Sequence, residues 1–297
     1  MYRPGLYTAS VTPFTSENTI DLDAFRNIIQ RQIDGGAQGV VLMGTTGECP
    51  TVSPQERDLL INEATNLSQG QILIISGCGS SCTRSTIDQA IAAEKSGSDA
   101  IQMAPPAYNS PSQEGIFRHF EAVHNATSIP IFIYNVPGRV RVNIEPKTIE
   151  RLLHLERCVG IKEASGNLPQ LMEVVEIISN LKKPVTLLCG DDLLAVPSIL
   201  LGAHGVMSVI SNLLPKTTNN LINNALEGRS REAKKDHYEL RKIMHLCFLE
   251  TNPVPIKYML SRRGLCNEEC RLPLTPLSKE NKQQIDTYLN SISFEEL

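Results

Sequence analysis

A lysine, a phenol, a Gly-Thr-Thr-Gly turn and an arginine are the residues of this chain best placed for chemistry, because each stands where an apolar run stops. Lys162 closes Val159-Gly160-Ile161, whereas other lysines such as Lys95, Lys147 and Lys234 lie in polar or amphipathic stretches. An amine at a strand end either snorkels into water or is held partly desolvated as a nucleophile. Tyr134 ends a second apolar run, where its hydroxyl either caps the core or relays protons. Gly44-Thr45-Thr46-Gly47-Glu48 offers successive backbone amides and two hydroxyls. That loop is either a tight turn with capping threonines or a nest for one carboxylate, and it is too small for a nucleotide's phosphates. Arg139 is a surface arginine or a planar fork for a carboxylate. Asp191 and Asp192 precede Leu193 and read as helix caps rather than Mg2+ ligands.

Together these groups suit a 2-oxo acid bound as a Schiff base. Its protonated imine is the electron sink, so the neighbouring carbon can lose a proton and attack a second carbonyl, with no metal or cofactor required. An ordinary lysine amine, with a pKa of about 10.4, is neutral in only about one molecule in 2,500 at pH 7. An apolar, desolvating setting is what raises that fraction.

Such residues can meet only if the runs that end in them lie side by side. Eight runs qualify: Leu6–Val11, Gly39–Met43, Ile72–Ser76, Ala100–Met103, Pro130–Tyr134, Val159–Lys162, Val185–Cys189 and Gly205–Ile210. Most are β-branched without polar alternation, as expected of parallel strands buried on both faces. Between them lie segments of helical spacing, the clearest being the stripe Leu168, Leu171, Met172, Val175 and Ile178. Asp21, Ser53 and Ser112 stand at N-cap positions, and Ser53-Pro54-Gln55-Glu56 has the form of a capping box with proline at the first helical position. Gly36-Ala37-Gln38-Gly39-Val40, Gly97-Ser98-Asp99-Ala100-Ile101 and Gly202-Ala203-His204-Gly205-Val206 repeat one helix-stop, turn and strand pattern.

This alternation predicts a (βα)8 TIM barrel over residues 1–228, with the site at the C-terminal strand ends. Those ends also carry Tyr108-Asn109 and Gly190-Asp191-Asp192. A doubly wound sheet is the alternative. Its best support, Gly77-Cys78-Gly79-Ser80-Ser81-Cys82, has Cys82 where a dinucleotide fingerprint needs its third glycine, and we reject it. From residue 229 the alternation stops. Leu240, Ile243, Met244, Cys247 and Phe248 form a helical stripe, and a final helix begins near Ser278, so residues 229–297 read as a small helical extension.

With 41% hydrophobic residues the 297-residue chain can bury a large core, and its net charge of −4 with interspersed signs argues against a nucleic-acid partner. The N-terminus lacks a signal-peptide pattern, and the most apolar window, Ala195 to Leu214, is broken by Pro197, His204 and Asn212, which argues against a membrane span. Eight cysteines without a secretory signal read as reduced thiols of a cytoplasmic protein. Cys266 and Cys270 lack the second pair a zinc site needs, and His119 and His124 do not share a helix face.

The whole chain resembles the pyruvate-dependent class I aldolases and lyases typified by dihydrodipicolinate synthase. The resemblance runs through Ser10-Val11-Thr12-Pro13-Phe14, Gly44–Glu48, Tyr108-Asn109-Ser110-Pro111, Tyr134-Asn135-Val136-Pro137, Gly160-Ile161-Lys162-Glu163 and Gly190-Asp191-Asp192. It continues in Gly205-Val206-Met207-Ser208-Val209, Asn252-Pro253-Val254-Pro255-Ile256-Lys257 and Arg271-Leu272-Pro273-Leu274-Thr275-Pro276. The resemblance implies that Lys162 forms an imine with pyruvate and that Thr45 and Thr46 hold its carboxylate. Tyr134 would move protons near the imine, linked through Thr45 to a Tyr108 that reaches in from a neighbouring subunit of a homo-oligomer, a dimer or a tetramer. Arg139 would bind the carboxylate of L-aspartate 4-semialdehyde, whereas N-acetylneuraminate lyases lack an arginine there. Gly190 and Met207 would border the substrate. The family's lysine-effector pocket maps to Pro54, Arg57, Ser81, Ser85 and Ala107, and without a glutamate at Ser85 weak or absent lysine inhibition is expected. Ala107 and Val140 replace a tyrosine and a threonine or serine usual in the family. Two rivals remain, a sugar-acid lyase of the same family and a barrel that has lost catalysis.

Overall fold

Eight short strands with both faces buried have one way to satisfy every backbone group without leaving an edge, which is to close on themselves. The computed structural model describes residues 2–292 and has that form. Strands β1 (Gly5–Ala9), β2 (Gly39–Leu42), β3 (Leu73–Gly77), β4 (Ala100–Met103), β5 (Ile131–Asn135), β6 (Cys158–Glu163), β7 (Thr186–Cys189) and β8 (Gly205–Ser208) form a closed barrel in sequence order. All eight neighbouring pairs are parallel, with β8 returning to β1. The doubly wound alternative is thereby removed.

Helices α1 (Leu22–Asp34), α2 (Pro54–Ser68), α3 (Thr83–Lys95) and α4 (Gln113–Ala126) follow the first four strands. The short turn α5 (Pro137–Val140) and α6 (Pro146–Leu153) follow β5, and α7 (Leu168–Ser179), α8 (Ala195–Leu200) and α9 (Pro215–Leu226) follow the last three. The anticipated caps form: Asp21 accepts from the Ala24 amide, Ser112 from the Gly115 amide, and Ser53 and Glu56 make a reciprocal capping box.

The α7 stripe differs from expectation. Its buried face is Gln170, Leu171 and Val174, while Met172 is 52% exposed. The helix is rotated because the Gln170 amide turns inward to bond the Glu163 carboxylate and Asn143. A buried polar network has outweighed one apolar side chain.

Alternation along the strands divides the core in two. Tyr7, Val41, Ile75, Ala100, Phe132, Leu188 and Met207 fill the barrel interior. Their neighbours in sequence, such as Val40, Ile74, Ile101, Ile131 and Ile161, pack outward against the helices.

Beyond α9 come α10 (Ser230–Leu246), α11 (Val254–Arg262) and α12 (Lys279–Leu289). Leu240, Ile243, Met244 and Met259 share one core with Leu6, Ile28, Val206 and Ile222 of the barrel. The last five residues of the anticipated extension, 293–297, lie outside the described residues. Among the described residues no helix is long and apolar enough to cross a membrane.

Candidate active site

Strand pairing brings the lysine and the phenol together. Tyr134 and Lys162 are register partners on β5 and β6, as are Asn135 and Glu163 one residue on. Period-two alternation therefore sends the first pair into the barrel mouth and the second outward under the helices. Lys162 is 5% exposed, and its Nζ lies 4.5 Å from the centroid of the Tyr134 ring. Among the described residues no carboxylate pairs with this ammonium; every recorded ion pair involves other side chains. The amine is buried against an aromatic face without an ion-pair partner, which the snorkelling alternative does not describe and which leaves it open to a nucleophilic role.

Gly190 gives that lysine its track. A Cβ placed there would lie 2.6 Å from the Ala164 Cβ, 2.9 Å from Lys162 Cε and 3.1 Å from Lys162 Cγ. Its amide donates to the Glu163 carbonyl at 2.7 Å, which holds the strand end after β7 against the end of β6.

Behind the pair, Asn135 Nδ2 donates to Glu163 Oε2 at 3.0 Å and to Asn143 Oδ1 at 2.8 Å, and Asn135 Oδ1 accepts from the Ile144 amide. The Ser165 amide donates to Glu163 Oε1 at 2.7 Å. With Gln170, this network ties together β5, β6, the turn after α5 and the start of α7. Each buried polar group in it has a partner, which is the condition for such a network to rigidify rather than weaken a core.

The Gly44–Glu48 loop has the anatomy of an anion nest. The amides of Thr45, Thr46 and Gly47 make no bond to a backbone carbonyl among the described residues, while the Glu48 and Cys49 amides close the turn onto Thr45 O and Gly44 O. Thr12 Oγ1 donates to Gly47 O at 2.7 Å, and Asn252 Nδ2 donates to Thr46 Oγ1 at 2.9 Å. Gly47 is required by space, since a Cβ would meet Met43 N at 2.8 Å.

A cleft of about 880 Å³ opens over these elements, and Thr45, Tyr134, Arg139, Tyr108, Gln102 and Asn252 belong to its wall. Lys162 and Gly190 stand outside that wall, so Tyr134 both borders the cleft and covers the amine. Arg139 is exposed on α5, with one guanidinium nitrogen 3.3 Å from the Asn252 carbonyl. Burial pushes the Cys78 thiol at the cleft's far end up to about 11 and also raises Cys49, against the opposing pull of Arg57. Neither is a ready thiolate.

Tyr108 is 94% exposed with a positive φ of 72°, and within the single chain it bonds neither Thr45 nor Tyr134. Met207 is fully buried in the apolar layer of the barrel interior and does not line the cleft. Asp191 caps the turn it begins by accepting from the Leu193 amide, as read from the sequence. Asp192 instead reaches across to the Val209 and Ile210 amides; burial raises its carboxyl above the ordinary range, and these hydrogen bonds oppose that rise.

Sequence reasoning passed over the Glu163 network, Gln102, whose buried Oε1 has no partner, and Asn252. Asn135 and Glu163 had a readable signal, since each follows an inward-facing residue and must therefore face the helices. Asn252 had none beyond its place in a proline-rich turn.

Comparison with known proteins agrees with this architecture. The model of the dihydrodipicolinate synthetase family matches residues 3–292. The chain is 42% identical over 292 residues to the 4-hydroxy-tetrahydrodipicolinate synthase of Protochlamydia amoebophila, covering 98% of this chain and 97% of that protein. The crystal structure of dihydrodipicolinate synthase from Thermotoga maritima superposes with a TM-score of 0.95 at 33% identity, covering 98% of this chain and 99% of that one. The 4-hydroxy-tetrahydrodipicolinate synthase from Methylacidiphilum fumariolicum gives a TM-score of 0.93 at 40% identity over 97% and 95% of the two chains. With the barrel, the strand-end lysine and the full-length match in agreement, the chain belongs to the dihydrodipicolinate synthetase family.

Proposed function

We propose that this chain acts as a 4-hydroxy-tetrahydrodipicolinate synthase, a lyase-class enzyme that condenses pyruvate with L-aspartate 4-semialdehyde on the diaminopimelate route to lysine. The observation that carries the reading is the buried, unpaired amine of Lys162 under the ring of Tyr134. The activity for which these relatives are named supports the choice of reaction.

Neutral Lys162 Nζ adds to the pyruvate carbonyl carbon, and water leaves to give a protonated imine. The Thr45–Gly47 amides hold the pyruvate carboxylate. Loss of a methyl proton gives an enamine, whose carbon attacks the aldehyde while the new alkoxide takes a proton. Tyr134, whose ring lies against the Lys162 amine, carries those protons. The substrate's own amine then displaces Lys162 from the imine carbon, closing the ring and freeing the enzyme. Arg139 binds the carboxylate of the semialdehyde at the cleft wall. Tyr108, exposed at the cleft mouth, completes the site of a second copy in a dimer or a dimer of dimers.

Borohydride reduction in the presence of pyruvate, followed by peptide mass mapping, tests the reading. A pyruvate-derived adduct on Lys162 is expected, and no adduct there refutes the mechanism. Arg139→Ala should keep that adduct while kcat/KM for the semialdehyde falls about 100-fold, the range for losing a hydrogen-bonded charge pair that substrate binding encloses. A sugar-acid lyase would be indifferent to the substitution.

A further inference from the structure

Glu48 and Lys257 form an ion pair unlike the others of this chain. Nζ lies 2.7 Å from Oε1, and the two side chains are 1% and 0% exposed, whereas every other recorded pair has at least one partner in substantial contact with solvent. The partners are 209 residues apart, one at the end of the carboxylate loop and one on α11 of the C-terminal extension. We propose that the pair is a positioning device for the substrate-carboxylate loop, and that through it the extension sets the loop's shape; this rests on reading Thr45–Gly47 as the pyruvate nest.

Burying two charges is costly in desolvation, and apolar side chains of similar volume are usually no less stable in such a place. What a charge pair adds is direction. Glu48 has a left-handed backbone, with a φ of 53°, a conformation uncommon for a residue with a side chain and costly unless its surroundings hold it. Both of its carboxylate oxygens are tethered, Oε1 to Lys257 and Oε2 to the Arg271 amide at 2.9 Å. Its own amide closes the turn onto Thr45 O, and the three preceding amides are left without a backbone acceptor among the described residues.

Lys257 holds the loop from a second side. Its Nζ donates to Thr12 O at 2.9 Å, and the Thr12 hydroxyl donates to Gly47 O. Its ammonium also rests 4.3 Å from the centroid of the Phe14 ring. Five residues earlier, Asn252 fixes the Thr46 hydroxyl. The segment 252–257 therefore touches the loop at Thr46 directly, at Gly47 through Thr12, and at Glu48.

Lys257→Met alone leaves a bare buried carboxylate and is expected to lower the melting temperature sharply, so the deciding protein is the full-length double variant Glu48→Gln, Lys257→Met. It removes both charges, keeps the volumes and keeps an acceptor for the Arg271 amide. The double variant is expected to melt within about 5 °C of the native protein. Its KM for pyruvate is expected to rise about tenfold with kcat reduced less than threefold, and trapping at saturating pyruvate should still label Lys162. A native KM for pyruvate in the folded double variant overturns the proposal. So does a fall in kcat at native KM, and so does failure of the double variant to fold, which would make the pair a folding requirement. Native enzyme that fails to trap pyruvate at Lys162 would instead defeat the functional reading beneath it.

Discussion

Gly190→Ala asks whether the lysine's track is as narrow as its surroundings indicate. Gly190 does not have a left-handed backbone, so alanine is opposed there by space alone. The new methyl would sit 2.6 Å from the Ala164 Cβ and 2.9 Å from Lys162 Cε, against a comfortable carbon–carbon separation of about 3.5–4.0 Å. The lysine stem must give way by roughly 1 Å, and a misplacement of that size costs on the order of 100-fold in rate, or about 2.7 kcal/mol of barrier. Overpacking adds about 1–3 kcal/mol of lost stability. The assay is the rate of borohydride trapping with pyruvate, measured well below the variant's melting temperature. Adding Ala164→Gly separates the two effects, because it removes the 2.6 Å contact but leaves the lysine contact in place. The double variant should therefore recover stability while trapping stays slow. Trapping at the native rate in Gly190→Ala would refute the reasoning.

The remaining predictions concern acid stability and an effector. His119 is 4% exposed, shares a hydrogen bond with Thr83 Oγ1 through Nδ1, and has its pKa lowered by burial from 6.5 to about 4. The unfolded chain takes up this proton first as pH falls, so stability present above pH 6.5 is lost between 6.5 and about 4, by up to roughly 3 kcal/mol. His119→Gln should flatten the fall in melting temperature over that window relative to the native protein; parallel curves would show that the histidine does not titrate this way. Millimolar L-lysine should leave the rate within about twofold, because the effector positions Pro54, Arg57, Ser81, Ser85 and Ala107 include no carboxylate for its ammonium. Near-complete inhibition would overturn that expectation.

What the sequence reveals and what it hides follow one physical division. The barrel was legible because its evidence is local: β-branched runs, glycine stops and caps such as Ser53 with Glu56 all act within a few residues. Lys162, Tyr134 and Gly190 were legible because a strand end converts position in the chain into position in space, and pairing of neighbouring strands brings them into contact. Met207 shares the inward face of the barrel with Tyr134 and Lys162, but it is fully buried in the apolar layer, and depth along the barrel is not something a period of two records. The orientation of α7 was missed because Gln170 answers to Glu163 through a hydrogen bond that no apolar period records. Tyr108, 94% exposed, has no hydrogen bond to Thr45 or Tyr134 among the described residues that could show its role.

The same division explains why the chemistry was easier to find than its support. At the ends of β5 and β6 the inward residue is the one proposed to react, and the next residue, turned outward, anchors: Tyr134 then Asn135, Lys162 then Glu163. A register slip of one residue would exchange the two roles, bury the amine under α7 and turn a carboxylate into the cleft. The Glu163 network therefore does more than fill space behind the site. By bonding Asn135, Ser165 and Gln170 at once, it makes a slipped register cost several buried hydrogen bonds, each worth about 1 kcal/mol when made and more when left unmade. The reactive pair and its anchor are thus specified by one pattern, and the anchor is what makes the pattern single-valued.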